Sequence, residues 1–444
     1  MIRSALATAA ALVSVLAFGV SEAAAAPPPP RTLLARIAAH NHVSIPPALA
    51  GAITHRLRIA PHVATAPAGQ GTSQQQELQA SDGTPLDLFG YTVSLTADGH
   101  TALVGTYQTV GAAYVFVKRG GKWFEQQELD SPDAGASDYY GLAVSLSGDG
   151  QTALVSAPTG DGGNGIVYSY QRQGDRYVLD GQIAARDGGY DDEFGAAVSL
   201  SGLGNVALIS APIHNGYQGA AYVFVRGPKS WTEEREYQNP GAPGEVYGYS
   251  VSEAADGLTG VVGAPFANDG QGAAYVFSEL GSSQHTLVGD PAAQPYLFGL
   301  SVSIDALGNR VLVGSPSANL GNGAAFLFDN KPGNGWTDTQ ELIDGDPSGA
   351  DLFGWSVALD YLGNVALIGA TERNGTEGSA FVFAGHGTLT QQRELAEPNA
   401  EPGDQYGYST AVDALGDQLL IGAPYAPYDG DAQGEVWAAN NPIG

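Results

Sequence analysis

The side chains with the most chemical potential in this chain follow a recurring small-residue motif and differ from copy to copy: Tyr107, His214 and Tyr217, Phe266, Arg373, Tyr425 and Tyr428. Aromatic rings at such positions can stack on sugar faces or anchor a protein partner at low entropic cost, and polar neighbours can fix hydroxyls or charges. This is the chemistry of binding. Neutral variation in exposed loops would also produce such differences. Catalytic signatures do not accompany these residues: there is no cysteine, no Gly-x-Ser-x-Gly elbow, no His-Glu-x-x-His helix and no phosphate-binding glycine loop before a helix. His214, His285 and His386 stand apart without neighbouring signatures, so each reads as a surface residue rather than a base. Paired carboxylates from separate segments could still hydrolyse glycosides, a geometry that sequence does not display.

Metal chemistry has weak candidates. Asp161, Asp269, Asp429 and Asp431 lie in loops with Gly and Asn, where an Asp-Gly turn is the simpler reading. A second set, Asp98, Asp149, Asp256, Asp305 and Asp360, supplies one carboxylate per short turn; only Asp413 with Asp417 offers two, and Leu203 stands in the third turn. One carboxylate is far from the six to eight oxygens that calcium takes. The sequence therefore predicts no cofactor, with calcium left as the weak alternative.

The elements that position these residues repeat seven times. Aromatic-glycine pairs occur at Phe89, Tyr140, Phe194, Tyr247, Phe298, Phe353 and Tyr406, spaced by 51, 54, 53, 51, 55 and 53 residues. Sixteen residues after each aromatic stands Gly105, Ser156, Ser210, Gly263, Gly314, Gly369 or Gly422, opening a Gly/Ser-Ala-Pro-like triplet. A period near fifty marks an array of supersecondary units. Within each unit, two strands flank a tight Gly turn, a third apolar run follows a glycine, and a fourth, often opened by Trp123, Trp231 or Trp336, closes on a Gln-Glu-Leu-like end. Four antiparallel strands per unit predict one propeller blade, and the whole an all-β, seven-bladed β-propeller. The seventh unit stops after its third strand while an orphan Gln-Gln-Gln-Glu-Leu precedes the first. A strand at about 74–80 should therefore complete the last blade and close the ring.

These units resemble FG-GAP repeats, the blades of the integrin α-chain head and of many bacterial surface proteins. The resemblance covers about Gln74 to Trp437 and implies an exported adhesion or binding module, although propellers of one architecture also serve as enzymes and scaffolds. That family commonly carries an Asp-x-Asp/Asn-x-Asp-Gly calcium loop between its first two strands. This sequence lacks it there, so the family's calcium dependence does not transfer. The expectation is a non-catalytic module that binds a protein or glycan through its variable face. The alternatives are an extracellular polysaccharide-active lyase or hydrolase, and a structural scaffold of an envelope complex.

Two further patterns concern the site. An acidic residue sits two places before the aromatic in six units, at Asp87, Asp138, Asp192, Glu245, Asp351 and Asp404, with Tyr296 in the fifth. Such repetition points to a structural role, a carboxylate accepting backbone N–H bonds in the inter-blade turn. Trp355 follows its aromatic-glycine pair where other units carry Tyr91, Leu142, Ala196, Tyr249, Leu300 and Tyr408, and packing near the axis is its expected role.

Residues 1–25 read as a signal peptide, with Arg3, an apolar run from Ala5 to Val20 and small residues after it. Residues 26–72 read as a Pro/Ala-rich basic linker or pro-segment, and 73–444 as the propeller. The linker holds His40, His42, His55 and His62 and no acidic residue. The chain has 46 acidic against 18 basic residues and a net charge of −28, a field that opposes nucleic acid and favours cations, basic proteins or neutral ligands. No second long apolar run follows the first, so the mature chain is expected to be monomeric, secreted, periplasmic or on the cell surface, with no stable membrane span.

Overall fold

The computed structural model describes residues 75–441 other than 85, 109, 133–137, 279–283, 332–334, 348, 429 and 430; the expected signal peptide and linker lie outside the described residues. Seven four-stranded antiparallel sheets form the ring. Their innermost strands are Thr92–Leu95, Val144–Leu146, Val198–Leu200, Ser250–Glu253, Val302–Ile304, Phe353–Leu359 and Ser409–Val412. In the first blade they are followed outward by Thr101–Gly105, Ala112–Arg119 and Lys122–Asp130. Middle strands such as Thr101–Gly105 are buried throughout, because neighbouring blades cover both faces and the sequence reads as a continuous apolar run. Outer strands such as Lys122–Asp130 are wet along much of their length.

The repeated aromatic is the wedge between blades. Phe89, Tyr140, Phe194, Tyr247, Phe298, Phe353 and Tyr406 are all fully buried. Phe194 meets Tyr222 and Phe224 edge-on at centroid distances of 5.6 and 5.8 Å, the arrangement that aromatic quadrupoles favour. The glycine after it has φ between 87° and 96° in every copy, and in the first a Cβ at Gly90 would press on the Glu435 carbonyl of the neighbouring blade.

Serine hydroxyls stitch blade to blade around the axis. The backbone N–H of Leu146, Leu200, Glu253, Ile304 and Leu359 donates to Oγ of Ser94, Ser145, Ser199, Ser252 and Ser303 on the preceding blade, at 2.9–3.2 Å. A second hydroxyl alternates between two strands. Ser250, Ser301, Ser356 and Ser409 on innermost strands donate to the carbonyl of the next blade's repeated glycine, and their partners on the second strand are Gly263, Gly314, Gly369 and Gly422. In the second and third blades the innermost residue is Ala143 or Ala197, the serine moves to the second strand as Ser156 or Ser210, and its Oγ accepts from the alanine N–H within the same blade.

The outer Gln-Glu-Leu end divides its work among three residues. The Gln76, Gln127 and Gln340 amides each grip the next blade's outer strand at two points, as when Gln127 Oε1 accepts from Tyr177 N at 2.8 Å and its Nε2 donates to Tyr177 O at 2.9 Å. Leu78, Leu129, Leu342 and Leu395 are buried. The intervening glutamates face the blade's upper cradle, described below.

The ring closes as expected. Gln75–Leu78 pairs antiparallel with Glu435–Asn440, Gln75 opposite Ala439 and Leu78 opposite Val436. Tyr406 Oη donates to Gln75 Oε1 at 2.9 Å.

Candidate functional site

The residue after each aromatic-glycine pair stands just before or at the start of the innermost strand, next to the axis, on the face formed by the connections from second to third strands and from each outer strand to the next blade. Four of the seven are aromatic, and the structure links three of them with loop residues into an arc. Trp355 lies 5.6 Å from Tyr408, Tyr408 5.9 Å from Tyr425 and 4.9 Å from Tyr91. Tyr91 stacks on Tyr107 at 4.8 Å, and Tyr107 on Tyr139 at 5.3 Å. The arc runs across four consecutive blades, each ring half-buried. Tyr91 and Tyr408 share a hydroxyl hydrogen bond, and burial raises the pKa of both phenols well above the usual value. Burial pushes Tyr249 up to about 12, and the carboxylate of Glu193 adds to the shift. Burial, followed by the charge of Asp191, pushes the Glu193 carboxyl up to about 7. The remaining axial positions are Leu142, Ala196 and Leu300. One side of the mouth is thus a wall of tyrosines with a tryptophan, and the other carries Leu142, Ala196 and Leu300 with Tyr249 between the last two. Such a surface offers ring faces and hydroxyls to a ligand at little cost in side-chain entropy.

Of the residues singled out from sequence, Tyr107 and Tyr425 lie in this arc. Trp355 joins it as well, beyond its expected packing role. Phe266 and Tyr217 are half-buried on other blades, and the Tyr217 carbonyl accepts from Gly244 N and Val246 N, fixing the following inter-blade connection. Tyr428 belongs to the short strand Pro427–Tyr428, paired with Asp431–Ala432. His214 and Arg373 are inside the rim of their blades, 6% and 8% exposed, among carboxylates rather than on the surface. His285 and His386 are exposed.

Asp161 and Asp269 are exposed on left-handed turns, φ 51° and 58°. Asp429 lies outside the described residues. The hairpin aspartates cap their own turns: Asp305 Oδ1 accepts from Asn309 N and Arg310 N, and Asp360 and Asp413 repeat the pattern. Burial nonetheless pushes Asp360 and Asp413 up to about 6. The acids before the aromatics also brace turns, as Asp192 Oδ2 does by accepting from Gly189 N at 2.7 Å, with Asp87 and Asp404 alike.

Sequence reasoning missed Tyr91, Tyr139, Tyr408 and Glu193 as members of one site. For Tyr91 and Tyr408 the signal was present in the column after the repeated glycine, where aromatic residues share one position with aliphatic ones; Tyr139 and Glu193 stand just before the repeated aromatic, a column without such a signal.

A family model described as FG-GAP repeat matches residues 72–116, 123–170, 177–224 and 336–383. Each match begins at an outer strand and ends in the third strand of the following blade, so the sequence repeat is offset from the blade by one strand. That offset leaves the first outer strand to close the ring. Among curated proteins, the chain is 25% identical to integrin alpha-2 of Bos taurus over 230 residues, 46% of this chain and 20% of that protein. It therefore spans about a fifth of the length of that relative. No helix among the described residues is long and apolar enough to cross a membrane. Four repeats are matched by the family model and three more keep the same register around one closed ring, so the chain carries FG-GAP repeats and folds as a seven-bladed β-propeller similar to that of an integrin α chain.

Proposed function

We propose that the chain is an exported, monomeric, non-catalytic binding module that takes a glycan or an extracellular protein segment on the tyrosine arc at its axial mouth. The observation that carries this reading is the arc itself, six aromatic rings in mutual contact across four blades on the face where the loops vary. The neutral phenols and the strongly acidic ring favour neutral or basic ligands over acidic polysaccharides. The likeness to an integrin α chain supports binding as the class of function.

The test is binding of the protein to a broad glycan array and to extracellular proteins captured on a surface, with calcium and again with chelator. Tyr107→Ala and Tyr425→Ala are expected to weaken the interaction about tenfold each, roughly 1.4 kcal/mol, while Phe266→Ala on a distant blade leaves it unchanged. Equal affinity of wild type and Tyr107→Ala for every ligand would remove the arc from the site. A second reading, a polysaccharide-active enzyme, rests on Glu193, a carboxyl that burial pushes up to about 7 beside Tyr107 and Tyr249. Depolymerisation that Glu193→Gln abolishes while binding survives would select it.

A further inference from the structure

We propose that Asp187, His214 and Glu236 form a binding site for a divalent transition-metal ion of the zinc class in the rim of the third blade. The three residues come from different segments: Asp187 from the connection entering the blade, His214 from the turn after its second strand, and Glu236 from its outer strand Trp231–Gln238. Their donor atoms all lie within 4.8 Å of one another, the only such grouping of three His, Asp or Glu donors among the described residues.

The imidazole is oriented as a metal ligand. His214 Nδ1 is 2.8 Å from Asp192 Oδ2, which fixes the ring and leaves Nε2 for the cradle. The Tyr222 ring sits edge-on beside it, centroids 6.2 Å apart. Nε2 is buried and makes no hydrogen bond; Asp187 Oδ2 and Glu236 Oε1 stand 3.8 and 3.9 Å from it, too far to accept one. A tetrahedral ion with bonds of about 2.0–2.1 Å sets its donors about 3.3 Å apart. Closing the two nitrogen–oxygen gaps therefore needs about half an ångström at each carboxylate, and the two carboxylates must also draw together from a separation of at most 4.8 Å. One nitrogen and two carboxylate oxygens suit zinc and its neighbours, whereas calcium and magnesium take oxygen alone.

The sixth blade shows what fills this cradle otherwise. Arg373 stands where His214 does, four residues after the second-strand Gly or Ser, and Asp351 and Glu394 match Asp192 and Glu236. Its guanidinium reaches Asp344, Asp351 and Glu394 at 2.9, 3.1 and 3.1 Å. There a long side chain brings the cation to three carboxylates directly. In the third blade the shorter imidazole stops short, and the surplus of negative charge faces an unshared nitrogen.

The test is calorimetric titration of the full, chelator-stripped chain with zinc chloride, together with melting curves with and without the metal. Wild type is expected to show one site that His214→Arg and the isosteric Glu236→Gln each weaken at least tenfold. Zinc should raise the melting temperature of wild type alone, and calcium and magnesium should raise neither. His214→Arg is expected to fold, since it rebuilds the arrangement of Arg373. The histidines at 40, 42, 55 and 62 contribute a background common to all variants. Identical zinc isotherms and melting shifts in wild type and His214→Arg, or the absence of zinc binding by wild type, would overturn the proposal and leave His214 as the partner of an internal ion cluster.

Discussion

At Gly263 the neighbouring atoms decide which residue the chain can hold. A Cβ there would collide with the Gly299 carbonyl and with Ser250 Oγ, so a serine on the innermost strand requires a glycine on the second. The second and third blades carry the serine on the other strand, Ser156 opposite Ala143 and Ser210 opposite Ala197, where its Oγ accepts from the alanine N–H. Gly263→Ser is expected to cost about 2–3 kcal/mol by overpacking. Ser250→Ala combined with Gly263→Ser should recover at least half of that loss in urea denaturation, and strictly additive penalties would refute the exchange. The two columns were visible in the sequence as Ser, Thr or Ala against Gly or Ser, but their coupling was not, because it passes through a carbonyl of the next blade. Long-range assembly also hid the cradle around His214. Reading down the column shows one histidine and one arginine among Gly, Ala and Thr, but Asp187 and Glu236 meet the histidine, and Asp344 and Glu394 the arginine, only after the chain has turned through several connections.

For the strands and turns, period and punctuation carried most of the argument. Fixed spacing from aromatic to small-residue motif gave the innermost pair, and apolar runs gave the third strand, because each rests on local pattern and burial by neighbours. The Gln-Glu-Leu end was recognised as a boundary, yet its division into an inter-blade amide, a cradle carboxylate and a buried leucine required the register. In the closing blade that carboxylate is Glu77, which faces Glu397 and Glu435 in a crowded pocket. Burial first, then Asp404, Glu435 and Glu77, pushes Glu397 up to about 8; burial first, then Glu77, pushes Glu435 up to about 7. Between the ordinary carboxylate range and these values the folded state keeps protons that the unfolded chain has released. The associated stability is full below about pH 4.5 and is lost as the pH rises toward about 8. Asp360 and Asp413 act in the same direction over a narrower window. The urea midpoint of wild type is therefore expected to fall between pH 5 and pH 8. Glu397→Gln should flatten that slope and raise stability at pH 8 by about 2 kcal/mol, while a slope unchanged by the variant would place the protons elsewhere.

For the molecule as a whole, closure by Gln75–Leu78 makes stability a property of the ring rather than of its blades. Deleting 74–80 should lower the melting temperature cooperatively and promote aggregation by exposing the edge of Glu435–Asn440, whereas deleting 27–66 should do neither; equal effects of the two deletions would count against closure. The register of the closing pair also governs how the ring carries force. Gln75 lies opposite Ala439, so both ends of the seam leave the last blade from the same side. Tension applied between the two ends of the propeller would load the ladder rung by rung, as a zipper is drawn, instead of shearing all its hydrogen bonds together. A tether through both ends is thus the mechanically weak way to hang this ring, and a binder built on it withstands pull best when the load enters through the loop face and leaves by one end alone.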